Sequence, residues 1–432
     1  MMPFEENRAL VFIVILLCQF NIQALAKKSR AYIRTETIEI NENVEVQEQK
    51  SGFTEPRTYL NNNKHKLQTP FPQIHWPELA NKVFTDGHKT YAMYKGYKLL
   101  LTIDPKIQKI AYKHIKDNHN SFGATTIIEP STGRILAIVE KAQKNFHKRR
   151  QLSVSAIAPA ASLSKYITAV AAIEKNNLKA NSIIRYRGGC SKLNSKNWIK
   201  DKKFDNQTMS LALAFGVSCN TVFARLAVYD VGLASLSQYI EKFMFNKPII
   251  SDINFETSLF ILPEAHSATF LDVAEAGAGF GITRITPIHS ALFSAAIANN
   301  GIMMSPHIVE AAYDDNGNEV YRAKPVEVSR LMTQSTANEM KILMKRTISS
   351  GPYNIRVGKR KRQHISKIGG KTGTLSDPEN RSILYTWFSG LAPIVNQDES
   401  ISIATLIGSP QNWIIRASKI AQKTLVDYLS LN

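Results

Sequence analysis

A serine and a lysine three residues apart at the start of a helix are spaced for acyl chemistry, and the chain has one such pair, Ser162-Leu163-Ser164-Lys165. Helical positions three apart share a face, with roughly 5 to 6 Å between Cβ atoms, near enough for a proton to pass between hydroxyl and amine. Pro159 stands just ahead, and Ile167, Val170 and Ala171 follow at the spacing of a buried helical stripe. A helix is therefore expected to begin at or just before Ser162. A hydroxyl there lies near unpaired backbone amides and the positive end of the helix dipole, both of which favour a negatively charged intermediate. An isolated pair of this kind reads more simply as a capping serine and a solvated lysine; what stands downstream favours the chemistry.

Two further groups follow in order, Ser218-Cys219-Asn220 and Lys371-Thr372-Gly373-Thr374. The first interrupts an apolar helical block running from Thr208 to Tyr229, at Phe215-Gly216. Glycine in mid-helix costs about 1 kcal/mol relative to alanine, so Ser218 and Asn220 are expected on a turn between two helices. The second group precedes two strand-like runs, Tyr385–Leu391 and Ile401–Ile407.

The elements that must position these residues are legible in part. An apolar strand is expected from Tyr97 to Ile103, then a helix opened by Asp104-Pro105 and running to about Lys116. Gly123–Ile128 and Arg134–Val139, separated by Glu129-Pro130-Ser131-Thr132-Gly133, carry a hairpin signal. Residues 232–310 read as helices and turns, and a last helix from about Trp413 to Ser430 places Trp413, Ala417, Ile420 and Ala421 on one face. The pattern is α+β, an antiparallel sheet covered by helices.

The 432 residues, 44% of them hydrophobic, suit one large or two ordinary domains. Ala9–Phe20 is almost wholly apolar but shorter than the ~20 residues that span a bilayer, and Ala24-Leu25-Ala26 offers a cleavage site. Residues 1–26 are accordingly read as a signal peptide or membrane anchor, and the body as exported, to the periplasm or the outer face of the cytoplasmic membrane. From Lys27 to about Pro70 the chain is polar and aperiodic, and an arm or linker is expected over residues 27–95, ahead of a domain at 96–432. Of three cysteines, Cys190 and Cys219 would remain in the mature chain, and an exported pair invites a disulfide, with free thiols the alternative.

The formal charge of +19 attracts anionic partners. Nucleic acid would be considered for a cytoplasmic protein; with an export signal, anionic envelope polymers or a membrane surface are expected instead, and no nucleic acid. Gly277-Ala278-Gly279-Phe280-Gly281 lacks the strand-and-helix frame of a dinucleotide loop, and the ten histidines form no ligand cluster. Neither cofactor nor metal is expected.

The ordered trio Ser162-x-x-Lys165, Ser218-Cys219-Asn220 and Lys371-Thr372-Gly373, separated by 56 residues (162 to 218) and 153 residues (218 to 371), resembles the three-motif signature of the penicillin-binding proteins and serine β-lactamases. Each motif alone is weak; Ser195-Lys196-Asn197 and Ser430-Leu431-Asn432 also match the second. The likeness extends to Leu101-Thr102-Ile103-Asp104-Pro105, Ile128–Ala137, Ile285-Thr286-Pro287, Ala298-Asn299-Asn300-Gly301 and Trp387-Phe388-Ser389-Gly390, covering roughly residues 97–430. It resembles the transpeptidase domain of that family, and so implies an antiparallel sheet with helices plus an all-helical subdomain.

The resemblance implies a peptidoglycan D,D-transpeptidase working through a serine acyl-enzyme on D-alanyl-D-alanine stem peptides and acylated by β-lactams. Ser162 would be the nucleophile and Lys165 its base, kept neutral by burial and by the second cation, Lys371. Ser218 would relay the proton to the leaving amine, and Asn220 would hold the substrate amide. Thr372, Gly373 and Thr374 would line the substrate, the two threonines holding its terminal carboxylate with Lys371, and the amides of Ser162 and Thr374 would form the oxyanion hole.

Ala160-Ala161 replaces the glycine that many members carry before the nucleophile. The basic runs His147-Lys148-Arg149-Arg150 and Lys359-Arg360-Lys361-Arg362 are unusual and would hold anionic glycan or membrane near the cleft, or else be solvated loops. Rival readings are a D,D-carboxypeptidase or endopeptidase, differing only in acceptor; a serine β-lactamase, disfavoured because no Glu-x-x-x-Asn follows Ser162; and a non-catalytic protein, either a peptidoglycan-binding scaffold, disfavoured because every motif residue is present, or a β-lactam sensor, which could keep them all.

Overall fold

A computed structural model describes residues 71–116, 122–142, 151–194, 196–350, 358–377, 380–394, 400–410 and 416–431. The segment read as signal or anchor, the arm as far as Pro70, and the basic run 147–150 lie outside the described residues.

Residues 71–95, expected to end a polar arm, instead form a short helix, α1 (Trp76–Ala80), and two strands, β1 (Val83–Asp86) and β2 (Lys89–Tyr94), which pair in series with β3 (Tyr97–Leu101). The physical reason lies in the turn. Lys95 and Gly96 both take left-handed conformations, φ 48 and 83, as a two-residue hairpin loop requires. Alternation along β2 then buries Thr90, Ala92 and Tyr94. Three buried side chains in six residues suffice for a strand once neighbours cover one face, yet they look polar on average.

Asp104 opens α2 (Pro105–Lys116) by accepting from the amides of Lys106 and Ile107 at 2.7 and 3.0 Å, with proline at the first helical position. The hairpin follows as β4 (Phe122–Ile128) and β5 (Ile135–Ala142). A 3-10 turn over Ala161–Ser164 then leads into α3 (Lys165–Asn176), whose residues 165–173 are all buried.

Thr208, expected inside a helix, belongs instead to a two-stranded ribbon of β6 (Ile183–Tyr186) and β7 (Gln207–Ser210). The helical block starts only after Ser210 Oγ accepts from Leu213 N at 3.2 Å, giving α4 (Leu211–Gly216), α5 (Asn220–Arg225), a π-helical turn over Leu226–Val231, and α6 (Gly232–Lys242). β8 (Leu259–Ile261), α7 (Phe270–Ala278) and β9 (Ile282–Arg284) follow, β8 pairing with β9. The helical part is therefore not helical throughout.

The chain continues as α8 (Pro287–Ala298), β10 (Ile302–Met304), β11 (Val309–Tyr313), β12 (Glu319–Arg322), β13 (Glu327–Arg330) and α9 (Gln334–Ser350). It ends with α10 (Arg362–Ile365), β14 (Gly369–Ser376), β15 (Ile383–Ala392), β16 (Ile401–Pro410) and α11 (Ala417–Tyr428). Two five-stranded sheets result, ordered β1-β2-β3-β11-β12 and β14-β15-β16-β4-β5, every pair antiparallel. In the second sheet, alternate residues serve opposite cores. Trp387, Ala404 and Leu406 pack with the fully buried α8, while Phe388, Ile403 and Ile407 pack with Ile107, Ala111 and Ile115 of α2 and Ile420, Ala421 and Leu425 of α11. The helix expected to pack its Ala417, Ile420 and Ala421 face on the sheet does so; Trp413 lies outside the described residues.

Candidate active site

Ser162 sits on the 3-10 turn, half-buried, with Ala161 before it in a left-handed conformation, φ 49. Such a backbone is uncommon for a residue with a Cβ and persists where surroundings hold it. Here Trp387 Nε1 donates to Pro159 O at 2.9 Å, and Ala160 N donates to Thr283 Oγ1 at 2.9 Å. From the other side comes the end of α7, where Gly279 takes φ 94; a Cβ on it would stand 2.3 Å from Ala161 O. The nucleophile turn is thus wedged between β15 and the α7–β9 corner.

Lys165, on the first turn of α3, is fully buried. Its Nζ lies 2.9 Å from Ser162 Oγ and 2.7 Å from Asn220 Oδ1, and it also donates to Ala278 O. Phe223 covers it, with the ring centroid 5.7 Å from Nζ. Burial, and after it the charge of Lys371, hold the Lys165 amine well below the usual lysine range. An amine whose charged form is disfavoured in this way and that touches a serine hydroxyl is suited to accept that hydroxyl's proton.

The second motif forms a turn between helices, as its glycine implied. α4 closes at Gly216, where a Cβ would come within 2.9 Å of Arg346 O on α9, and α5 opens at Asn220. Between them Ser218 takes φ 59. Its Oγ lies 2.8 Å from Lys371 Nζ, which also donates to Thr372 O at 2.9 Å. Lys371 is itself fully buried, faces the Phe215 ring at 5.5 Å, and is pushed down to about 7 by burial. Two buried lysines, each against one serine hydroxyl, therefore line one site.

Lys371 comes from β14, at the edge of its sheet. Residues along it alternate, with Lys371 and Gly373 buried, Thr372 half-buried and Thr374 exposed. Gly373 abuts the nucleophile turn; a Cβ there would lie 3.3 Å from Ala160 O. All three motifs thus converge, Ser162, Lys165 and Asn220 as one cluster and Ser218 with Lys371 as the other.

One participant was not read from the sequence. Ala278 O, an acceptor for Lys165, was hidden in a glycine run weighed only against phosphate binding; its signal is a glycine closing a helix, here Gly279 after α7. The Cys190–Cys219 disulfide forms, with Cα atoms 4.3 Å apart. Among the described residues no group of three or more His, Cys, Asp or Glu side chains could hold a metal ion. Lys361 of the second basic run donates to Asp427, which also takes Lys113 at 3.1 Å and His114 at 2.8 Å.

Residues 123–427 match the family described as penicillin binding protein transpeptidase domain. A peptidoglycan D,D-transpeptidase PbpA of Mycolicibacterium smegmatis is 25% identical over 351 residues, covering 72% of this chain and 67% of the relative. The fold is also that of PBPA from Mycobacterium tuberculosis, whose crystal structure superposes with a TM-score of 0.59 at 21% identity, covering 77% of this chain and 82% of that one. A penicillin G acyl-enzyme complex of the same protein gives 0.57 at 21% identity, over 77% and 80% of the two chains. With its motifs converging in one site and its matched region spanning most of its length, this chain belongs to the penicillin binding protein transpeptidase domain family.

Proposed function

We propose that this chain is a peptidoglycan D,D-transpeptidase in which Ser162 is the nucleophile and Lys165 the base. The observation that carries the reading is the 2.9 Å contact between Ser162 Oγ and the Nζ of a fully buried lysine. A serine hydroxyl becomes a competent nucleophile only beside a base, and protonation of this amine is disfavoured first by burial and then by Lys371.

In the forward step Lys165 takes the Ser162 proton as Oγ attacks the carbonyl of the D-alanyl-D-alanine bond, and negative charge gathers on the carbonyl oxygen. The amides of Ser162 and Thr374 would receive it, each such donor contributing roughly 3 to 4 kcal/mol in comparable enzymes. The leaving amine takes a proton through Ser218, whose Oγ rests on Lys371 Nζ. Asn220 would orient the substrate amide, and Thr372, Gly373 and Thr374 on the edge strand β14 would line the substrate, the two threonines and Lys371 binding its carboxylate. Transfer of the acyl group to an amine of a neighbouring stem peptide completes the cross-link; transfer to water would be carboxypeptidase activity.

Electrospray mass of the purified protein with benzylpenicillin, alongside Ser162→Ala, tests this. A gain of one intact drug molecule that persists for many minutes and is absent from the variant is expected. Rapid loss of the adduct with drug turnover would indicate a β-lactamase, and no adduct on folded protein a binding scaffold.

The apolar run Ala9–Phe20 and the Ala24-Leu25-Ala26 site support residues 1–26 as an export signal or anchor that places the enzyme in the periplasm or on the outer face of the membrane. The charge of +19 supports contact with anionic envelope polymers or the membrane surface. Of the basic run 359–362, Lys361 is committed to Asp427 and adds little to such contact.

A further inference from the structure

Ser218 and Asn220 stand on a turn that its own helices cannot hold. α4 and α5 are each six residues long, below the length at which an isolated helix is stable, and Ser218 has a left-handed backbone. The support comes from the chain between β6 and β7. Asn220 N donates to Cys190 O at 2.7 Å, Asn220 Nδ2 to Ser191 O at 2.8 Å, and Thr221 Oγ1 to Gly189 O at 2.7 Å. A second layer backs the first: Asn197 Nδ2 donates to Thr221 Oγ1 at 3.0 Å. The buried Arg225, at the end of α5, donates to Asn197 O at 2.9 Å, Ile199 O at 2.7 Å and Asp205 Oδ1 at 2.7 Å.

The Cys190–Cys219 disulfide cross-links this support to the turn, and Cys219 is the middle residue of the catalytic motif. Both ends of the Asn220 amide are committed, Nδ2 to the support and Oδ1 to Lys165 Nζ at 2.7 Å. A shift of the support therefore reaches the base through a single side chain.

We propose that the disulfide-clamped segment around Cys190 is the positioning device for Ser218 and Asn220, so that the rate of acyl-enzyme formation depends on the redox state of the Cys190–Cys219 bond. Cys190 and Cys219 act through their neighbours and touch no substrate. The proposal rests on the acyl-serine reading above. Reduction by a dithiol runs through attack on the Cys190 sulfur, the less buried of the two, with Cys219 leaving as a thiolate. The second thiol of the reductant then resolves the mixed disulfide. Two electrons and two protons pass to the protein, which gains two thiols, and the dithiol leaves as its cyclic disulfide.

The test compares oxidised wild type, wild type reduced by excess dithiol and desalted without oxygen, and Cys190→Ser. Stopped-flow acylation by benzylpenicillin separates the rate constant of the chemical step from the dissociation constant of the encounter complex, and melting curves on the same samples give the folded fraction. A 1 Å misplacement at a catalytic group costs up to about 10²-fold. The expected result is a chemical step slower by roughly 10- to 100-fold in the reduced protein and in Cys190→Ser, with the dissociation constant moved less than about 3-fold and the protein folded. Reoxidation of the reduced wild type should restore the rate. An unchanged chemical step in folded, reduced protein overturns the proposal, as does a loss that only tracks the unfolded fraction. Should Cys190→Ser not fold, the reduced wild type alone decides. Absence of an adduct on oxidised wild type is a separate outcome, overturning the acyl-serine reading and this proposal with it.

Discussion

Lys165 and Asn220, 55 positions apart in the chain, meet with 2.7 Å between Nζ and Oδ1, in the same cluster in which Lys165 meets Ser162. The amide oxygen favours the protonated amine without carrying charge, so it tempers the effect of burial without reversing it. Replacing Asn220 by aspartate keeps the shape and adds a charge that holds the ammonium form. The acid limb of the acylation pH profile should move up by about one unit or more in Asn220→Asp, with at least about a tenfold loss near pH 7. A profile of acylation rate against pH, measured with a chromogenic β-lactam, checks this; an unmoved limb would separate Asn220 from the base.

Lys165→Met should abolish acylation while leaving the fold intact. The substitution conserves volume roughly and removes a buried amine whose protonated form is disfavoured by desolvation and by Lys371, a cost that an apolar side chain does not carry. A melting temperature equal to or above that of wild type, with acylation down by more than about 10³-fold, is expected from paired thermal and kinetic measurements.

Lys371 links stability to alkaline pH. Its folded value of about 7 lies below the 10.5 of an exposed lysine, so between these values the unfolded chain binds the extra proton. Stability should therefore rise as pH increases from about 7 to about 10.5 and stay at its lower level below that window. The lowered value of Lys165 acts in the same sense. Melting curves across that range should show a rise in wild type that is smaller in Lys371→Met.

Gly279→Ala tests the wedge behind the nucleophile. The position has φ 94, and the added Cβ would stand 2.3 Å from Ala161 O, so either the turn carrying Ser162 moves or the α7–β9 corner does. A loss of about 1 to 3 kcal/mol is expected from chemical denaturation, with acylation slowed by up to about 10²-fold. An alanine variant with wild-type acylation would show that the contact yields without disturbing Ser162.

Arg225 and Asp205 form a buried ion pair at 2.7 Å, with side chains 1% and 8% exposed. Arg225→Met strands the carboxylate and several carbonyls, and a loss of about 3 to 5 kcal/mol is expected. Arg225→Met combined with Asp205→Leu should recover part of it. Denaturant titration of the two variants checks the order.

Much of the fold was legible where local chemistry is decisive. Asp104-Pro105 announced α2 because a capping carboxylate and a fixed proline φ act within one turn of the chain. Gly216 announced the break before Ser218 for the same kind of reason, since a missing side chain weakens a helix wherever it packs. The strands β1 and β2 were missed because they are short and mix polar with apolar residues on both faces, and only pairing with β3 turns Thr90, Ala92 and Tyr94 into a buried face.

The order and spacing of the serines and lysines were determined by the sequence alone, and with them the class of chemistry, because residue type sets what a side chain can donate, accept or attack with. Tertiary structure decided whether that chemistry is available. Lys165 and Lys371 become weak bases to protonation only because folding removes both from water and sets them in one site; Lys361, no less basic in the sequence, is tied to Asp427 instead. The pairing of Cys190 with Cys219 was open until the support around Asn220 brought their Cα atoms to 4.3 Å. Burial and proximity are properties of many residues at once, and no single stretch of the chain encodes them.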